Sequence, residues 1–302
     1  MNILNARIIT LLFTTLIALL ISSISTNTYA KPTATEYGTI LNLSGKQRML
    51  SQKMSKEAML VALAVDTDSN IQSLKQTTAL FDKTLKGLKY GESSLGLPAT
   101  DNPAILKQLG IVESIWNEFY PLMQQVIESK AVSKEQLATI VEQNIPLLKE
   151  MNKTVGLYEK DAQKNGLKAD PSLATTLNLS GKQRMLTQKM SKEFMIIALE
   201  HDTEETKITL QETHELFDRT LTGLIEGDDS LGLPGTTQDN ILAQLDTVDN
   251  IWQEFRVAIE SGADFGTDTI EKDAIKFVAS NNLPLLKEMN AVVQLYKAAA
   301  GK

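Results

Sequence analysis

Two stretches of this chain, Asn42–Glu57 (NLSGKQRMLSQKMSKE) and Asn178–Glu193 (NLSGKQRMLTQKMSKE), differ only at Ser51 and Thr187. Their residue types suit anion capture. Arg48 and Arg184 each present a rigid planar fork of N–H donors that matches flat oxyanions. Gly45 and Gly181 fall one helical turn earlier on the same face. A glycine inside a helix costs about 1 kcal/mol relative to alanine, so it needs a reason. Here the missing side chain would let a second backbone or a small ligand approach. Gln52 and Gln188, one turn further on, would add amide donors. A plainer arrangement has the arginines paired with carboxylates across a helix bundle and the glycines serving packing. The residues alone leave both open.

Other chemistry finds little support. The two histidines, His201 and His214, occur only in the second half, and the chain has no cysteine. Without a His-x-x-x-His pair, no structural zinc site is expected. Asp228-Asp229 with Asp239 lacks the alternating oxygen ligands and terminal glutamate of a calcium loop. Ser44 and Ser180 lie in the repeated segment, yet the first half has no histidine to act as their base. No glycine-rich phosphate loop is present. The chain is therefore read as a non-enzyme with no catalytic residue, metal or cofactor.

The elements that must carry these residues follow from the duplication. An offset of 136 pairs Arg48 with Arg184, Phe81 with Phe217, Leu95-Gly-Leu-Pro98 with Leu231-Gly-Leu-Pro234, and Trp116 with Trp252. After a two-residue insertion the offset is 138, pairing Asn144–Asn152 with Asn282–Asn290 and Tyr158 with Tyr296. Repeats of this length are tandem domains, since solenoid periods run about 20–50 residues. Each reads as four helices, near 34–66, 68–89, 103–130 and 133–163, then 171–202, 204–226, 238–260 and 268–298. Asp170-Pro171 is a helix start signal. GESSLGLP and GDDSLGLP mark loops, and Pro146 and Pro284 imply a kink or a late start in the fourth helices. Trp116 with Phe119, and Trp252 with Phe255, read as core. No strand-like run appears. The expected fold is all-α, two tandem antiparallel four-helix bundles, with domains at 31–165 and 170–302.

Helical spacing divides the repeated segment into two stripes. Leu43, Leu50, Met54, Ala58 and Val61 form an expected core face. Leu41, Gly45, Arg48, Met49, Gln52, Ser55, Lys56 and Met59 form the other, a mixture suited to a helix–helix contact with a polar centre.

Residues 1–30 read as a cleaved secretory signal, with a weakly basic start, an apolar stretch over 8–21 and a small-x-small site at Thr28-Tyr-Ala30. An uncleaved anchor is the alternative. Arg7 is the leader's one charge, so cleavage moves the formal net charge from −7 to −8. Such acidity argues against nucleic acid and anionic lipid as partners. The expected location is the periplasm, with any anion site a local exception to the global field.

The string N-L-S-G-K-Q-R-M-L-[ST]-Q-K resembles the signature of PilJ-type sensor domains, the periplasmic N-terminal domains of type IV pili chemotaxis transducers. It is also similar to the P-box of nitrate/nitrite sensor kinases, where a Gly-x-x-Arg-Met core recurs. The resemblance implies nitrate or nitrite held between two first helices, gripped by an arginine from each. Carried over, it implicates Arg48 and Arg184, with Gly45 and Gly181 giving close approach, and Lys53 and Lys189 at the second basic position. Such domains ordinarily occur singly and work as symmetric dimers, whereas this chain has two copies. The copies would pack either as an intrachain pseudo-dimer or each against its counterpart in a homodimer. Two empty guanidinium groups ~6 Å apart at an effective dielectric of ~20 would repel by about 3 kcal/mol, which a shared anion would reverse. The signal would pass to a membrane sensor kinase or chemoreceptor. The alternative function is a helical scaffold docking on such a sensor without a ligand, and a different small anion or carboxylate is a third.

Overall fold

A computed structural model describes residues 31–167 and 171–300. The expected signal peptide and the Asp170 cap fall outside the described residues. Eight α-helices follow one another. They are α1 (Ala34–Ala62), α2 (Thr67–Tyr90), α3 (Pro103–Ser129), α4 (Lys134–Asn165), α5 (Pro171–Ala198), α6 (Thr203–Glu226), α7 (Asp239–Ala263) and α8 (Lys272–Ala299). They form two tandem four-helix bundles, and no strand occurs among the described residues.

Local chemistry sets the ends of these helices. Thr33 and Glu36 close a capping box at the start of α1, and Ser133 with Gln136 does the same for α4. α1 stops four residues before its expected end. Ala64 and Asp66 take left-handed backbone at φ 54° and 41°, and Glu200 and Asp202 repeat this at 56° and 43° after α5. In the loops after α2 and α6, Gly91 and Gly227 have φ of 85° and 102°, which only glycine adopts cheaply. These loops fold Leu97 and Leu233 back as plugs over Gly87 and Gly223, where an added Cβ would meet them at 3.1 and 3.0 Å.

Pro146 and Pro284 do not delay their helices, which begin twelve residues earlier. Both prolines lie on the exposed face, where the carbonyl left without a donor is hydrated at little cost. The tryptophans are core, as expected. Trp116 stacks on Phe81 and Trp252 on Phe217, each at 4.4 Å between ring centroids. Their indole N–H groups donate to Asp82 and Asp218 at 3.2 and 2.9 Å.

The bundles meet through their first helices. α1 packs against α2 and α4 of its own repeat and, most extensively, against α5 of the other. α5 does the same with α6, α8 and α1. Each first helix is consequently buried on nearly every side, and one hydrophobic cluster runs through both repeats. The mixed stripe is the α1–α5 seam, so the motif faces its own duplicate within the chain.

Candidate functional site

At the centre of the seam Gly45 and Gly181 oppose each other. A Cβ built on Gly45 would lie 3.9 Å from the Gly181 Cα, 3.4 Å from Arg48 Nη2 and 3.7 Å from Arg184 Nη2. Both Nη2 atoms are thus within 3.7 Å of one point, which bounds their separation at about 7 Å. Those contacts are ordinary van der Waals distances, so the backbone approach leaves room for a methyl group on either glycine. Packing alone would therefore accept alanine, which favours the helix by about 1 kcal/mol. Each glycine leaves the room of about one methyl group beside the guanidinium groups.

The two arginines cross the seam. Arg48 Nη2 donates to the backbone oxygen of Asn178 at 2.9 Å, and Nη1 to Asn152 Oδ1 at 3.3 Å. Arg184 Nη2 donates to the backbone oxygen of Asn42 at 2.9 Å, and Nη1 to Asn42 Oδ1 and Asn290 Oδ1 at 2.9 and 2.8 Å. Every acceptor is a neutral amide oxygen, and both Nε–H groups are buried without a partner. Arg48 is 3 % and Arg184 1 % exposed. Carboxylate pairing, the plainer arrangement open from sequence, is therefore not what holds them.

The electrostatics follow from that burial. Desolvation pulls the Arg48 guanidinium down to about 10, opposed by the Glu159 charge. Desolvation and then repulsion by Arg48 hold Arg184 at about 9. Both remain cations at neutral pH. Lys46 and Lys182 add to the field. Burial depresses each, and the opposite repeat's arginine depresses it further, Arg184 for Lys46 and Arg48 for Lys182. Among the described residues neither lysine has an ion-pair or hydrogen-bond partner. Two buried guanidinium groups share the seam, with the half-buried Lys46 and Lys182 near enough to add positive field, an arrangement that favours a small anion.

Gln52 and Gln188 belong to a second polar layer further along the same helices. Lys192 Nζ crosses to Gln52 Oε1 and Asn144 Oδ1, both at 2.9 Å. Lys56 Nζ crosses to Asn282 Oδ1 at 2.8 Å, where Gln188 Nε2 also donates at 2.9 Å. Burial lowers both ammonium groups to about 8. Lys53 and Lys189 turn away from the seam altogether. Lys53 is paired with Glu57 and donates to Ser73 and Thr77 of α2, and Lys189 is paired with Glu193 and donates to Thr213 of α6. Their charge is already compensated, and the structure does not bring them to the arginines.

Asn42, Asn178, Asn152, Asn290, Lys46 and Lys182 are the neighbours of the arginines, and candidate site residues, that sequence reasoning passed over. The first pair and the lysines stand inside the duplicated string, and Asn152 and Asn290 close the second duplicated block, so the signal was present. A groove of about 920 Å³ between α4 and α5–α6 has Asn152, Asn144 and Lys192 on its wall. Its counterpart between α8 and α1–α2, about 540 Å³, has no contribution from Asn290.

The sequence profile of the family described as the type IV pili methyl-accepting chemotaxis transducer N-terminal region, PilJ, matches twice, over residues 33–142 and 168–276. The methyl-accepting chemotaxis protein McpN of Pseudomonas aeruginosa is 29% identical over 122 residues, which is 40% of this chain and 22% of that relative. The match thus spans less than a quarter of the relative's length.

Proposed function

The chain belongs to the PilJ family of chemotaxis transducer sensor domains and carries the module twice, and on that premise we propose that it is a non-enzymatic periplasmic binding protein for a small oxyanion, nitrate or nitrite. The observation that carries this reading is the pair of buried guanidinium groups that face each other over two glycines with no carboxylate bonded to either. At that limiting separation of about 7 Å, repulsion between two such charges at an effective dielectric of ~20 amounts to about 2 kcal/mol. A planar monoanion between them reverses that sign and meets the free N–H groups. Of five donors each, Arg48 uses two and Arg184 three.

Binding would tighten the α1–α5 contact, because each arginine reaches from one repeat to the other. That differential between empty and filled states is what a sensor requires. No helix among the described residues is long and apolar enough to cross a membrane. In this reading the signal leaves through docking on a membrane chemoreceptor or sensor kinase.

Thermal unfolding of the purified protein with nitrate, nitrite, chloride, sulfate and small carboxylates at equal ionic strength tests the proposal. A ligand at one hundred times its dissociation constant adds about 2.7 kcal/mol of stability. A nitrate or nitrite shift that vanishes in Arg48→Ala/Arg184→Ala supports it. Equal response to every anion contradicts it.

A further inference from the structure

The two halves of the site are not equivalent. The offset of 138 that pairs Asn152 with Asn290 also sets Glu159 on α4 opposite Lys297 on α8. Glu159 Oε2 accepts from Asn178 Nδ2 at 2.7 Å, and Oε1 from Thr175 Oγ1 at 2.8 Å. Asn178 is the residue whose backbone oxygen receives Arg48. With its amide turned to Glu159, Asn178 Oδ1 is buried without a partner. On the other side, Asn42 Oδ1 instead accepts from Arg184 Nη1 at 2.9 Å. Lys297 occupies the mirror place with opposite charge, its Cγ 3.6 Å from the position a Gly38 Cβ would take on α1.

We propose that Glu159 sets the affinity of the anion site and makes it one-sided, supplying a partial counter-charge to Arg48 so that the anion is held chiefly by Arg184. This rests on the anion reading above. The carboxylate lies behind Asn178 and does not bond the guanidinium, so it eases the Arg48 charge while leaving its donors open. It stabilises the empty site and competes electrostatically with the ligand. Arg184 has no such support, and Arg48 further disfavours its charge. Glu159 is thus a positioning and charge-setting residue that acts through Asn178 and the local field.

Two variants test this, with nitrate affinity measured by calorimetry at fixed ionic strength and unfolding measured without added anion. Glu159→Gln keeps an acceptor for Asn178 and removes the charge. It should tighten nitrate binding by roughly three- to tenfold while lowering the ligand-free melting temperature. Lys297→Glu, which places a carboxylate on the Arg184 side, should weaken nitrate binding by a similar factor and raise the ligand-free melting temperature. A purely structural contact would lose affinity and stability together, so the opposed directions are the signature. Unchanged or weaker nitrate binding in Glu159→Gln, with wild type binding normally, overturns this assignment and leaves the anion reading standing. So does tighter binding with no change in ligand-free stability. No nitrate binding in wild type or either variant overturns the anion reading and this assignment together.

Discussion

Arg48 donates to the backbone carbonyl of Asn178, and Arg184 returns the bond to the carbonyl of Asn42, each at 2.9 Å. This reciprocal crossing ties the two repeats together at the point where they carry the most unbalanced charge. Stability and ligand response should therefore be separable by mutation.

The glycines give the sharpest separation. Gly45→Ala or Gly181→Ala places a methyl group at 3.4–3.7 Å from the guanidinium nitrogens, without a backbone clash. The ligand-free protein should keep or gain up to about 1 kcal/mol through helix propensity, while nitrate affinity falls at least tenfold. Chemical denaturation paired with calorimetry measures both. A destabilised variant that binds normally would mean the glycines serve packing.

Arg184→Met should remove the nitrate response and leave ligand-free stability within about 1 kcal/mol of wild type, or above it. A buried charge without a counter-ion carries a desolvation cost that an apolar side chain does not, which offsets the loss of its hydrogen bonds to Asn42 and Asn290. Urea unfolding at low ionic strength is the check. A loss of several kcal/mol would show that the crossing hydrogen bonds outweigh the charge penalty.

Lys53 and Lys189 should behave in the opposite way. Lys53→Met leaves Glu57, whose side chain is 2 % exposed, without its cation, and breaking a buried pair from one side costs about 3–5 kcal/mol. Nitrate affinity of the folded fraction should stay at the wild-type value. A selective loss of affinity with intact stability would return these lysines to the ligand site.

The second polar layer predicts an alkaline effect. Burial lowers Lys56 and Lys192 from 10.5 to about 8, so the unfolded chain binds more protons between those values. Stability should rise as pH increases from about 8 towards 10 and be lost again as pH falls back through 8. Above 10 the buried phenols of Tyr37 and Tyr158, held up chiefly by burial, oppose the rise, because their ionisation favours the unfolded chain, while the depressed Arg48 and Arg184 continue it. Equilibrium unfolding across this range, with Lys56→Met/Lys192→Met flattening the rise, is the measurement. A stability that falls steadily from pH 8 would contradict it.

Much of this architecture was legible from residue spacing. The glycine loops, the start signal at Pro171 and the 136-residue offset located the eight described helices, and the mixed stripe marked the seam. What spacing could not supply was direction around a helix buried on all sides. Lys53 lies one position past Gln52, which turns it from α5 towards α2 and Glu57. Gln52 and Gln188 share the arginine stripe, yet a further turn of rise carries them into the lysine layer. Asn152 and Asn290 come from a helix more than a hundred residues from the arginine each one meets, and only the folded chain brings them there.

The central claim is that one anion is shared by both arginines of one chain. Calorimetric titration of nitrate into the purified protein, alongside Arg48→Ala and Arg184→Ala, tests it most directly. The account predicts one nitrate per chain and a loss of at least tenfold in each single variant, larger for Arg184→Ala. Two nitrates per chain, or wild-type affinity retained in either single variant, would contradict it.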